Sequence, residues 1–226
     1  MLKSKRRQFG SIRVKAPMAY PGETIGLMGG TFNPPHDGHV TVSRTAMRRL
    51  GLDRLWWVVT PGNPLKSNDE LPDLESRMAA CRRLLRDPKV VITAFEAQLG
   101  TPYTAATLEF LKLRYPAVRF VWVMGADNLA GFHRWQRWRD IAKMMPMAVV
   151  DRPGWRWRAQ TSPTARRFRT LQSPESRAKI LATGSGRGWT LLTTRLSPLS
   201  STELRRGAAT APTPDRACDS ILKTDI

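Results

Sequence analysis

An α/β fold, doubly wound around a mainly parallel sheet with helices on both faces, is what this sequence predicts. Three observations carry the prediction. Short apolar runs alternate with stretches of helical periodicity, the pattern of parallel strands linked by crossover helices. The runs, such as "RLWWVV" and "RFVWVMG", are continuously apolar, as strands covered on both faces are. Turn-rich stretches follow directly after the first, second and fourth runs, where open α/β sheets bind their ligands.

The elements follow in order. "TIGLM" (24–28) reads as the first strand and ends on Gly29 and Gly30. "HVTVSRTAMRRLG" follows as a helix with Val42, Ala46 and Leu50 on one face and Gly51 as its stop. Residues 54–60 make the second strand, and "PGNPLKSNDELP" is a loop rich in turn formers. A helix over 73–85 puts Leu74, Met78, Cys81 and Leu85 on one stripe, ahead of a third strand at 90–94. A helix over 104–115 runs through Leu108, Leu111 and Tyr115 to a fourth strand at 119–125. A helix at 138–145, strands at 147–154 and 189–194, and a last helix starting at 200–207 complete a Rossmann-like order. Its crossovers are expected to be right-handed.

At 226 residues the chain is long enough for one domain with extensions. Residues 1–22 read as a basic N-terminal extension, 23–207 as the folded domain and 208–226 as a poorly ordered tail. An Arg-rich, acid-poor start also suits a transit peptide, but it lacks the apolar core of a secretory signal. No apolar run is long enough to span a membrane. The two cysteines, Cys81 in an apolar helical pattern and Cys218 in a polar tail, are not expected to pair, which fits a cytoplasmic location. The net charge of +19 suits either nucleic acid or a pocket for small polyanions on a basic surface. The basic residues are spread along the chain without an RNA-binding motif or a C-x-x-C finger, so nucleic acid is not expected as the main ligand.

"GGTFNPPHDGH" (29–39) holds His36 and His39, two of the three histidines. They could be ordinary core or surface residues. They could form a metal pair, although no nearby Cys or further His completes a ligand set. They could also hold phosphate. Gly29 and Gly30 allow close backbone approach after a strand, and His39 stands at a helix start, where free N–H groups and the dipole favour an anion.

This stretch resembles the signature of the nucleotidyltransferase superfamily, which carries a His-x-Gly-His element after its first strand. Further segments, in order, are "TPGNPLK" (60–66), "TPYTAATL" (101–108), "MGADNLAGFHRWQRW" (124–138), "DRPG" (151–154) and "LSSTELR" (199–205). Together they resemble the bacterial nicotinate-nucleotide adenylyltransferase family. "TPYT" and "FHRW" match this pyridine-nucleotide branch rather than pantetheine-phosphate adenylyltransferases. A nicotinamide-mononucleotide acceptor stays open within the same superfamily, and a basic RNA-binding protein that has kept the fold is the alternative of a different class.

The resemblance implies transfer of the adenylyl group of ATP, as its Mg²⁺ complex, to nicotinate mononucleotide. The products are nicotinate adenine dinucleotide, a precursor in NAD biosynthesis, and pyrophosphate. It implies catalytic roles for His36, His39, Lys66 and Arg205. ATP would meet Gly29, Gly30, Thr31, Phe32, the two histidines, Gly125, Asp127, Ser200, Ser201, Thr202 and Arg205. Asp127 is placed for ribose hydroxyls. "SSTELR" also reads as a capping box through Ser200 and Glu203. Nicotinate mononucleotide would meet Asn33, Lys66, Tyr103, Thr104 and Trp135, with Trp135 stacking on the pyridine ring and the "YT" backbone meeting the carboxylate. Trp138 reads as core, and His133 as a surface residue. No metal site of the protein's own is expected. The reading leaves a homo-oligomer open.

Overall fold

A computed structural model describes residues 15–62, 65, 68, 70–101, 103–184 and 187–194. Its seven-stranded sheet runs in the order β3-β2-β1-β4-β5-β7-β6, and every neighbouring pair is parallel. The strands are β1 (Thr24–Gly30), β2 (Arg54–Val59), β3 (Val90–Thr93), β4 (Arg119–Gly125), β5 (Met147–Val150), β6 (Gln172–Ser173) and β7 (Trp189–Leu192). Order reverses between β1 and β4, so their carboxyl ends open a crevice at the switch point.

Alternate residues of β1 and β2 feed two cores. Ile25, Leu27, Trp56 and Val58 pack on one face with Leu108 and Leu111. Met28, Leu55, Trp57 and Val59 pack on the other with Val42, Ala46 and Leu50. These last three belong to α1 (Asp37–Leu50), where Asp37 stands in the first turn, Arg48 and Arg49 in the last, and Gly51 closes the helix at φ 65°. That charge order follows the helix dipole, and the left-handed cap needs glycine. α2 (Leu74–Leu84) starts at Asp73, whose side chain accepts from the Ser76 N–H. Cys81 is fully buried there, and burial pushes its thiol up to about 12. α3 (Thr104–Arg114) buries Leu108 and Leu111 completely.

The remaining helices are α4 (Ala126–Gly131), α5 (Trp138–Met144), α6 (Arg156–Gln160), α7 (Pro163–Arg167) and α8 (Ala178–Thr183). Three expectations change. The fifth strand stops at Val150 rather than 154, because Asp151 turns to accept the Arg152 N–H and the Arg156 guanidinium. Residues 155–183, left without elements by the sequence, fold into α6, α7, β6 and α8. The packed unit also begins before residue 23. Lys15 N–H donates to Gln98, the Tyr115 hydroxyl to Pro17 O at 2.7 Å and Arg54 to Met18 O, while Ala16 and Ala19 pack on the core. The expected last helix and C-terminal tail lie outside the described residues, as do residues 1–14.

Candidate active site

The carboxyl ends of β1 and β4 open onto a cleft of about 480 Å³. At one side stands the N-terminus of α1, capped by its own histidines. His36 takes the cap position, and its Nδ1 accepts from Gly38 N–H at 3.0 Å. Three residues on, His39 Nδ1 accepts from the His36 backbone N–H at 3.1 Å. This is a capping box in which two imidazoles replace the usual hydroxyl and carboxylate. Both Nδ1 lone pairs are spent on N–H groups, so each neutral ring carries its proton on Nε2.

The rings lie 3.9 Å apart between centroids. His39 also leans on Phe32, which stacks on Trp57 at 4.8 Å and 13°. Phe32 adopts φ 48°, an uncommon backbone for a bulky residue, and its ring is 2% exposed. It therefore supports His39 as core, leaving its backbone for any ligand contact. Burial first, then the charges of His36 and Arg152, pull the His39 imidazole down to about 3. Without ligand it is a neutral donor rather than a cation.

Arg152 crosses the cleft and pairs with Asp127 at 3.0 Å. A methyl group at Gly38 would lie 2.7 Å from His36 Cε1 and 2.8 Å from Arg152 Nη2, so only glycine lets the two approach. Gly125 is likewise closed to a side chain by Arg152 Cδ at 3.0 Å. Asp127, in the first turn of α4, keeps a buried Oδ1 that has no hydrogen-bond partner among the described residues.

On the other side Tyr103 caps α3 without any side-chain hydrogen bond. Its carbonyl receives the N–H groups of Ala106 and Thr107. Nearby, Glu96 lines the cleft from the short 3₁₀ turn Phe95–Leu99. Trp135 packs edge-on against Trp122 at 6.0 Å and against Phe132 at 5.1 Å.

Of the residues chosen from sequence, Gly29, Gly30, Thr31, Phe32, His36, His39, Tyr103, Thr104, Gly125, Asp127 and Trp135 all line this cleft. Asn33 is not among the lining residues, because it sits in the turn that carries the chain from Phe32 toward α1. Lys66, Ser200, Ser201, Thr202 and Arg205 lie outside the described residues. His133 is half-buried rather than a surface residue, with Nδ1 unpartnered among the described residues. Trp138 packs on Phe168 as a partly buried core residue.

Sequence reasoning did not single out Arg152, Arg77 or Glu96. The "DRPG" segment was the available signal for Arg152. Arg77 is 4% exposed and donates to the carbonyls of Thr31, Thr60, Pro61 and Pro72. It fixes the β1 and β2 exits against α2, with burial lowering the pKa of its guanidinium.

A family model described as cytidylyltransferase-like matches residues 27–207. A protein of Cereibacter sphaeroides named probable nicotinate-nucleotide adenylyltransferase is 52% identical over 181 residues, covering 80% of this chain and 95% of its own. Proteins of the same name from Agrobacterium fabrum and Rhizobium meliloti are 53% and 54% identical over 181 residues, covering 80% of this chain and 97% and 96% of theirs. Among solved structures, Plasmodium falciparum nicotinic acid mononucleotide adenylyltransferase complexed with NaAD shares the fold. Its TM-score is 0.63 at 16% identity, over 81% of this chain and 83% of that one. With its cleft at the switch point and these relatives across nearly their whole length, the chain belongs to the nicotinate-nucleotide adenylyltransferase family.

Proposed function

We propose that the protein joins the phosphate of nicotinate mononucleotide to the α-phosphorus of ATP. A phosphate oxygen of the mononucleotide forms the new P–O bond, the α–β bridging bond breaks, and pyrophosphate leaves. The product is nicotinate adenine dinucleotide, a precursor in NAD biosynthesis. The observation that carries the reading is one cleft served by two differently finished helix N-termini. The α1 end offers Nε2–H donors of His36 and His39, and α3 offers its first-turn backbone at Thr104, the Tyr103 N–H being turned to Thr101 Oγ1.

The acceptor phosphate is already a nucleophile, so no residue has to generate one. The site must hold the two phosphates in line and offset charge that builds toward the leaving group. In this reading His36 and His39 donate to ATP phosphate oxygens, and Gly29, Gly30 and the Thr31–Phe32 backbone border the nucleotide. Arg152 adds a cation beside them. The unpartnered Asp127 oxygen suits a ribose hydroxyl, and Gly125 clears the space next to it. Lys66, Arg205 and the Ser200–Ser201–Thr202 turn keep the phosphate roles that the family resemblance gives them.

Mg²⁺ enters on the phosphates of ATP. Among the described residues, no group of three or more His, Cys, Asp or Glu side chains could hold a metal. Trp135 stacks on the pyridine ring, and the α3 N-terminus meets the carboxylate. The protein works in the cytoplasm, where ATP and a reduced Cys81 coexist. No helix among the described residues is long and apolar enough to cross a membrane.

Pyrophosphate release from ATP tests the reading with three acceptors: nicotinate mononucleotide, nicotinamide mononucleotide and phosphopantetheine. Release stoichiometric with dinucleotide and fastest with nicotinate mononucleotide is expected. Fastest release with phosphopantetheine would overturn the assignment.

A further inference from the structure

Arg137 holds a backbone conformation that its residue type disfavours. Its φ of 56° and ψ of 32° lie in the left-handed region, where glycine or asparagine is the ordinary choice. It stands third in the turn Trp135–Gln136–Arg137–Trp138, closed by the Trp138 N–H donating to Trp135 O at 3.1 Å. It is also the cap residue of α5, and its carbonyl accepts from the Asp140 and Ile141 N–H groups. Glycine or asparagine would make this turn with less strain, so an arginine here points to a use for its side chain.

That side chain bonds on two sides. Nε donates to Asp140 Oδ2 at 3.0 Å, in the first turn of α5 itself. Nη2 donates to Glu109 Oε1 at 2.8 Å, on α3. The two partners differ in depth. Asp140 is half-exposed, and an ion pair with it is screened by water. The Glu109 side chain is 6% exposed, where a charge-assisted bond holds a guanidinium more firmly.

The bond to Glu109 joins two parts of one site. Trp135 and Gln136, just ahead of Arg137, line the cleft, as do Tyr103 and Thr104 at the start of α3. The Trp135 ring rests on Trp122 and Phe132. Behind it, the turn is tied to α3 through Arg137 and Glu109. A second bond between these helices, from Lys112 Nζ to Met144 O at 3.2 Å, joins their C-terminal ends, away from the cleft-lining residues.

Resting on the acceptor assignment above, we infer that Arg137 is a positioning residue for the acceptor, its pair with Glu109 fixing the spacing between the Trp135 ring and the first turn of α3. A pyridine ring and its carboxylate form one rigid unit that must meet both at once. An error in that spacing leaves stacking in place but spoils the carboxylate contact.

Kinetics with nicotinate and nicotinamide mononucleotides, on variants shown to be folded by circular dichroism, test the inference. Arg137→Asn keeps a residue that tolerates the turn but cannot reach Glu109. It is expected to raise KM for nicotinate mononucleotide about tenfold, with kcat, KM for ATP and KM for the amide acceptor within about twofold of wild type. Arg137→Lys keeps the charge without the two-pronged fork and is expected to recover part of the loss. Glu109→Gln should add less than about twofold on top of Arg137→Asn, because both changes break the same contact. Asp140→Asn should leave KM for nicotinate mononucleotide at its wild-type value.

A wild-type KM for nicotinate mononucleotide in Arg137→Asn would overturn the inference. Equal factors for the two acceptors would too, since they would reduce the pair to general support of the fold. Full additivity of Arg137→Asn and Glu109→Gln would overturn it as well. If Glu109→Gln does not fold, the contrast between Arg137→Asn and Arg137→Lys decides. If the wild-type protein releases no pyrophosphate with nicotinate mononucleotide, the acceptor assignment has failed, and the inference falls with it.

Discussion

The α1 and α3 N-termini meet the same cleft but are finished in opposite ways. At α1 the N–H groups of the cap residue His36 and of Gly38 are taken by imidazole Nδ1 atoms, and the rings present their Nε2–H donors. At α3 Tyr103 provides no side-chain cap, and the helix presents its backbone. Imidazoles held by a buried stack suit a triphosphate whose charge shifts during reaction. Backbone N–H groups without a cap from Tyr103 suit a small planar carboxylate that need only be recognised. In the proposed reading, chemistry falls to one terminus and selectivity to the other.

The largest expected effect comes from breaking the α1 side. His39→Ala removes a preorganised donor and should lower kcat by about 10²-fold or more, with a smaller change in substrate KM. Initial rates of pyrophosphate release check this, and a near-normal kcat would detach His39 from the reaction. The next largest comes from the frame beneath both sides. Arg77→Met leaves four loop carbonyls without their donor and should cost about 3 kcal/mol of stability, read from urea unfolding.

Making the two termini alike sharpens the comparison. Tyr103 has the extended backbone of a cap residue, φ −100° and ψ 121°. Tyr103→Asp should therefore cap α3, adding about 1 kcal/mol of stability. It should also raise KM for nicotinate mononucleotide about tenfold, because the new carboxylate occupies the N–H groups, while KM for ATP stays put. Trp135→Ala should weaken both pyridine acceptors by similar factors, since a stacking face does not distinguish acid from amide.

A separate effect is on stability in acid. His39 titrates near 3 when folded but at its ordinary 6.5 when unfolded. As pH falls below about 6.5 the unfolded chain gains a proton that the folded chain refuses, so stability drops toward pH 3. His36 and Arg152 face the same ring and oppose its charging. His39→Asn should flatten this acid slope in urea midpoints taken from pH 7 to pH 4.

Legibility from sequence followed the range of the interactions. The stripe of Val42, Ala46 and Leu50 was readable because helical spacing alone buries it, and Gly51 because a left-handed cap needs glycine. The cleft-lining histidines and glycines were readable because they cluster within one turn-rich stretch after a strand. Arg77 resembled any solvated helix arginine, since its partners come from loops at residues 31, 60 and 61 that only the folded sheet brings to it. Glu96 was hidden for the same reason, its partner Thr107 being on a different element. Residues 155–183 escaped because α6 and α7 are five residues each, too short for a 3.6-residue period to repeat. The packing of residues 15–20 was missed because small Ala16 and Ala19 carry little hydrophobic signal, and their anchors are main-chain carbonyls.

The division of labour between the two helix ends is tested most directly by kcat/KM of the wild-type enzyme for nicotinate mononucleotide against nicotinamide mononucleotide, at fixed saturating ATP. An amide turns its own N–H₂ toward the α3 donors or leaves one unpaired, at about 1–3 kcal/mol per group. Two such contacts predict a preference for the nicotinate acceptor of about a hundredfold or more. Equal kcat/KM for the two acceptors would contradict the assignment of α3 as the carboxylate-reading terminus.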